Sequence, residues 1–173
     1  DQIIPPATAY QVVSMLEGVV LRGTGRKINA IKKPLAGKTG TTNDARDTWF
    51  VGFSPDLAVG VYVGFDTPKS LGPKQGGGSV AAPIFRDFMM GALKDKSAIP
   101  FRVPEGIRLV RVKASTGAPA VRGDKGVILE AFKTTDQISR SEGVLDGSEN
   151  AKATGISLDR PKNPVTSGTG GLY

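Results

Sequence analysis

The sequence predicts a mixed α/β fold of the α+β kind, an antiparallel sheet packed against helices, with a small β-rich appendage after it. Two observations carry that prediction. Apolar residues recur at helical spacing near both ends of the first hundred positions, and between them lie three short runs with strand character, separated by turn signals. Strands joined by turns this short can only run antiparallel. A length of 173 residues suffices for one domain with a real core.

The first element begins at Pro6, from which Tyr10, Val13, Leu16 and Val20 recur on one helical face, with Val12, Met15 and Val19 widening the stripe. Pro5-Pro6 suits a helix start, because the ring pre-sets φ and the missing N–H has no partner there anyway; Arg22-Gly23-Thr24-Gly25 supplies the stop. Strands follow over 35–42, 48–53 and 57–64. Ser54-Pro55-Asp56 forms the turn between the last two, and Val59, Val61 and Val63 share one face. Trp49 is expected in the core, since large aromatics mostly bury area. Residues 67–78, rich in Gly, Pro and Lys and ending in Gly76-Gly77-Gly78, read as a mobile surface loop. A second helix over 81–93 places Ile84, Phe88 and Ala92 beside Phe85, Met89 and Leu93 as a broad apolar face. Ser79 is its expected cap, Pro83 fits its first turn, and Met89 and Met90 are gap fillers.

After Ser97 the composition changes. Pro100 and Pro104 bracket a connector, 107–113 alternates as a strand, Thr116-Gly117 marks a turn and 127–132 is the partner strand. From Thr134 the chain is Ser, Gly, Asp and Lys with few large apolar residues, and disorder is expected. The organisation is therefore 1–97, 98–133 and a flexible polar tail over 134–173.

Composition excludes several chemistries. The formal charge of +7 is spread evenly, with 12 basic against 8 acidic residues over positions 1–100 and 11 against 8 over the rest. That suits work beside an anionic polymer or surface, and is a poor footprint for nucleic-acid binding. Cysteine is absent, which excludes disulfides and thiolate chemistry; histidine is absent, which excludes a Ser-His-Asp triad within this chain. No apolar run approaches the roughly 20 residues of a membrane span, and no signal peptide is evident.

The most informative stretch is Gly37-Lys38-Thr39-Gly40-Thr41-Thr42-Asn43-Asp44, continuing as Arg46-Asp47-Thr48-Trp49-Phe50-Val51-Gly52. As a strand it presents a cation and hydroxyls along one edge, which suits an extended peptide ending in a carboxylate. Lys38 supplies the charge. Thr39 and Thr41, two apart, point to the same face and can both hydrogen-bond one carboxylate, while Gly40 marks a place where a ligand or another backbone comes close.

Lys38 to Gly52 resembles the class A penicillin-binding proteins, in which Lys-Thr-Gly is a signature motif and the flanking pattern continues as Thr-Thr-Asn-Asp, Arg-Asp and Trp-Phe-Val-Gly. The Ala7-Thr8-Ala9-Tyr10-Gln11 helix ending in Gly23-Thr24-Gly25 is a second matching block. The resemblance implies a five-stranded antiparallel sheet packed against helices, as in serine β-lactamases, with 1–97 as the C-terminal half of a transpeptidase domain. It implies acyl transfer from D-Ala-D-Ala stem peptides of peptidoglycan through a serine acyl-enzyme, inhibition by β-lactam antibiotics, and no cofactor. Lys38 and Thr41 are then catalytic, Lys38 in the electrostatic and proton-handling network and the Thr41 N–H in the oxyanion hole. Lys38, Thr39, Gly40, Thr41 and Thr42 bind substrate, with Thr42 and Asn43 fixing the strand end.

The family's Ser-x-x-Lys nucleophile motif does not occur, because no serine here has a lysine three residues later. Ser148-Glu149-Asn150 is a Ser-x-Asn triplet on the wrong side of Lys-Thr-Gly and reads as a decoy. The chain also opens at Asp1 without a methionine. The expectation is a C-terminal piece of a longer protein, whose upstream part carries Ser-x-x-Lys, Ser-x-Asn, the membrane anchor and, by analogy, a glycosyltransferase domain, on the periplasmic side of the inner membrane. This chain alone would be soluble and inactive. The rival readings are a non-catalytic structural or interaction module and a P-loop nucleotide binder; the second fails because its leading glycine falls at Lys32. A β-lactamase is disfavoured, because those chains end soon after their last motif and final helix.

Overall fold

Pro6 opens α1 (Pro6–Arg22), which closes where the N–H of Gly23 turns back to the carbonyls of Gly18 and Val19. A 3-10 helix over Arg26–Ile31 leads into β1 (Ala36–Thr41), β2 (Thr48–Phe53) and β3 (Ala58–Val63), then α2 (Ala81–Ala92), β4 (Ile107–Lys113) and β5 (Val127–Lys133). The computed structural model describes residues 2–136 and 138. The three central strands form one antiparallel sheet in the order β1-β2-β3, and β4 pairs with β5 in a separate antiparallel hairpin. Each expected strand stands within a residue or so of its expected bounds.

Strand alternation sets the core. Thr48 and Phe50 of β2 point inward with Val59 and Val61 of β3, against Phe85 and Met89 of α2 and Val20 of α1. Phe50 and Phe85 are fully buried, their rings 4.8 Å apart. Gly37 and Gly52 flank the Phe50 ring because nothing larger fits: a Cβ on either would lie 2.6 Å from a ring carbon.

Several expectations are corrected. Trp49 is not in the core; it is 44% exposed, on the outer face of the sheet, its ring tilted against that of Tyr62 with centroids 4.7 Å apart, because the alternation that buries Phe50 turns its neighbour outward. Both helices carry narrower apolar stripes than expected, with Val12, Met15, Ile84 and Phe88 exposed, because the neighbouring elements cover only part of each expected apolar face. Ser79 does not cap α2: its hydroxyl takes the N–H of Gly76 and bonds the carbonyls of Lys74 and Gly76, so it closes the preceding turn instead. The end of the 67–78 loop is pinned, for Gly76 to Gly78 thread against β1. Thr134 and Asp136, expected in the tail, belong to the end of the β4–β5 hairpin, as Thr134 N–H donates to the Gly106 carbonyl and the Asp136 carboxylate accepts from Lys133 N–H. Ser148-Glu149-Asn150 and residues 139–173 lie outside the described residues. The hairpin sits on α1 through Gln11, whose amide donates to the Ala131 carbonyl at 3.1 Å, and through a 3.9 Å ion pair of Arg22 with Glu130.

Candidate active site

β1 is an edge strand of its sheet, and hydrogen-bond parity fixes what it offers. Thr42 N–H donates to the Asp47 carbonyl at 3.0 Å, one step beyond the last strand pair, Thr41 with Thr48. Antiparallel pairs alternate between bonded and non-bonded, so Gly40–Trp49 and Lys38–Val51 are the bonded pairs. The N–H and C=O groups of Gly37, Thr39 and Thr41 therefore point to the open margin. The Lys38 ammonium reports the same geometry, donating at 2.9 Å to the Thr39 carbonyl. That bond carries the charge around from the opposite face of the strand to its edge.

Thr39 stands opposite Phe50 and Thr41 opposite Thr48, so the two threonines share one face, as expected, and that face is the helix side of the sheet. Thr41 and Lys38 are exposed and Thr39 is half-buried. The Thr41 hydroxyl accepts the N–H of Gly77 at 2.9 Å. Gly77 itself lies flat on β1: a Cβ there would be 2.5 Å from the Trp49 carbonyl oxygen and 2.6 Å from that of Gly40. A Cβ on Gly40 would point the other way, 3.2 Å from the Trp49 Cβ, so the close approach of the loop depends on Gly77 and not, as expected, on Gly40.

Beyond Thr41 the strand end is held by a compact polar knot. Asp47 N–H donates to the Thr42 hydroxyl at 2.8 Å, and Tyr62 O–H donates to the Asp47 carboxylate at 2.8 Å. That hydrogen bond, aided by slight burial and the negative charge of Asp47, raises the Tyr62 phenol above its ordinary pKa. Asn43 falls in the short 3-10 turn that follows, in which Asp44 and Ala45 take positive φ. The sequence reading proposes Lys38, Thr39, Gly40, Thr41 and Thr42 as site residues, and the fold places all five on β1 and its end. It did not reveal Gly77, Asp47 or Tyr62 as their supports, because those contacts depend on strand register and loop path. Among the described residues no group of His, Cys, Asp and Glu can hold a metal ion, and no helix is long and apolar enough to cross a membrane.

The model of the penicillin binding protein transpeptidase domain matches residues 1–90, from α1 to the body of α2. The chain belongs to this transpeptidase family. It is 45% identical over 150 residues to penicillin-binding protein 1A of Rickettsia conorii, covering 86% of this chain and 19% of that protein. It is 47% identical over 137 residues to penicillin-binding protein 1A of Pseudomonas aeruginosa, covering 79% of this chain and 17% of the relative. The crystal structure of penicillin-binding protein 1A from Haemophilus influenzae superposes with a TM-score of 0.70 at 28% identity, over 80% of this chain and 22% of that one. The chain thus spans about a fifth of the length of the curated relatives it matches. Its transpeptidase-family membership rests on the same segment that carries the open strand edge.

Proposed function

We propose that the chain supplies the carboxylate-gripping strand of a peptidoglycan D,D-transpeptidase whose nucleophilic serine lies in an upstream segment. The observation that carries this reading is the exposed margin of β1, where one ammonium, two hydroxyls and outward N–H groups line up. An extended stem peptide adds to such an edge through main-chain hydrogen bonds, and its terminal D-alanine carboxylate meets Thr39 and Thr41. The upstream serine attacks the carbonyl between the two D-alanines: a C–O bond forms, the C–N bond breaks, and the last D-alanine leaves with the proton. A neighbouring amine then attacks the ester and frees the serine. The N–H of Thr41, on the open side of β1, joins that of the serine as the oxyanion hole, where one donor is typically worth about 10²–10³ in rate. Lys38 holds positive charge beside the developing anion and the serine proton. The reaction needs no cofactor. β-Lactams acylate the same serine, their carboxylate taking the place of the D-alanine terminus. Such a protein works on the extracytoplasmic side of the membrane, anchored through its upstream region.

Labelling with a fluorescent penicillin tests the division of labour. Covalent label is expected on a preparation that includes the upstream segment and not on this chain alone. Label on this chain alone, or none on the folded longer protein, would contradict the reading and favour a non-catalytic module of the same fold.

A further inference from the structure

Thr24 enters the sequence reading as part of the stop after α1 and of the second matching block, with no role of its own, yet its hydroxyl lies 2.9 Å from that of Thr39. Backbone contacts hold it there. The N–H groups of Gly23 and Gly25 both reach the Val19 carbonyl, at 3.1 and 3.0 Å, folding the chain back at the end of α1. Gly78 then passes so close that a Cβ on it would sit 2.8 Å from the Thr24 carbonyl oxygen. Thr24 itself is exposed, so this hydroxyl stands at the rim of β1 and not in the core.

The hydrogen bonds behind the two strand threonines follow one logic. Gly77 N–H fills a lone pair of the Thr41 hydroxyl, leaving that hydroxyl its single proton to give. Thr39 has the Thr24 hydroxyl behind it, and either oxygen can donate. If Thr39 donated, its proton would be spent and its lone pairs would face an arriving anion. If Thr24 donates, Thr39 keeps its proton for the carboxylate, and the chain from Thr24 through Thr39 to the anion is polarised in one direction. With an anion at the edge, only the second arrangement satisfies all three groups.

We infer that Thr24 is a third hydroxyl of the carboxylate site, a positioning residue that aims the Thr39 proton at the terminal carboxylate of the substrate. This rests on the transpeptidase reading above. The test uses the longer protein with Thr24→Val, which keeps the shape and removes the hydroxyl, and Thr24→Ser, which restores it. The measured quantity is the second-order acylation rate with a penicillin bearing a free carboxylate and with its methyl ester. Thr24→Val is expected to slow the acid about tenfold, in line with a lost bond in a charge-assisted chain, and to leave the ester within about twofold; Thr24→Ser returns the acid to near the parent rate. Equal slowing of acid and ester would make Thr24 a structural staple and overturn the inference, as would no change in either. If the parent protein does not distinguish acid from ester, the carboxylate reading of β1 falls with it. If the parent distinguishes them and Thr24→Val does so equally well, the role of Thr24 alone is refuted.

Discussion

Lys38 makes one hydrogen bond among the described residues, to the carbonyl of the next residue, and is otherwise exposed. Its removal therefore costs little packing while deleting the charge at the edge. Lys38→Ala in the longer protein is expected to slow penicillin acylation by about a hundredfold or more with the melting temperature little changed, a separation read by stopped-flow labelling beside calorimetry. Near-parent acylation would take Lys38 out of the site. Tyr62 carries a second expectation. Because its neutral O–H is held by Asp47, its folded pKa is raised, so the bond stabilises the strand end fully below the ordinary tyrosine pKa of 10.0 and is lost as pH rises through the folded value. An ultraviolet difference titration of parent against Tyr62→Phe should show a phenol ionising above the ordinary range; an ordinary midpoint would mean the bond is absent in solution. At this scale the sequence singled out Lys38, Thr39 and Thr41 as candidates by their type and spacing. It hid the pairing of Thr24 with Thr39 and of Asp47 with Tyr62, each across fifteen residues, since only the fold sets such pairs.

Among the elements, β1 owes its open edge to the parity of its pairing with β2 and its rigidity to the glycine loop beneath it. Gly77→Ala tests the loop. The added methyl meets backbone oxygens of Trp49 and Gly40, which cannot swing aside, so the loop or the strand must shift. The expected cost is about 1–3 kcal/mol of stability, with the Thr41 hydroxyl losing its donor and acylation slowing. A variant as stable and as fast as the parent would show the loop to be free of β1. The elements themselves were legible because Val59, Val61 and Val63 alternate and Pro5-Pro6 and Gly23 punctuate α1. What was not legible was which face meets what: Trp49 and Phe88 look like core by size, and only the placement of both helices on one side of the sheet leaves them outside.

For the whole molecule, the outer face of the sheet with Trp49, Val51 and Tyr62 stands exposed, and the chain spans about a fifth of the relatives it matches. The Lys-Thr-Gly run without a Ser-x-x-Lys motif is what led to the expectation of a further segment bearing the serine. The deciding measurement is a crystal structure of the longer protein acylated by benzylpenicillin. The carboxylate of the drug is predicted within about 3 Å of both the Thr39 and Thr41 hydroxyls, with the acyl oxygen on the Thr41 N–H. A carboxylate lodged elsewhere, with the margin of β1 empty, would contradict the account.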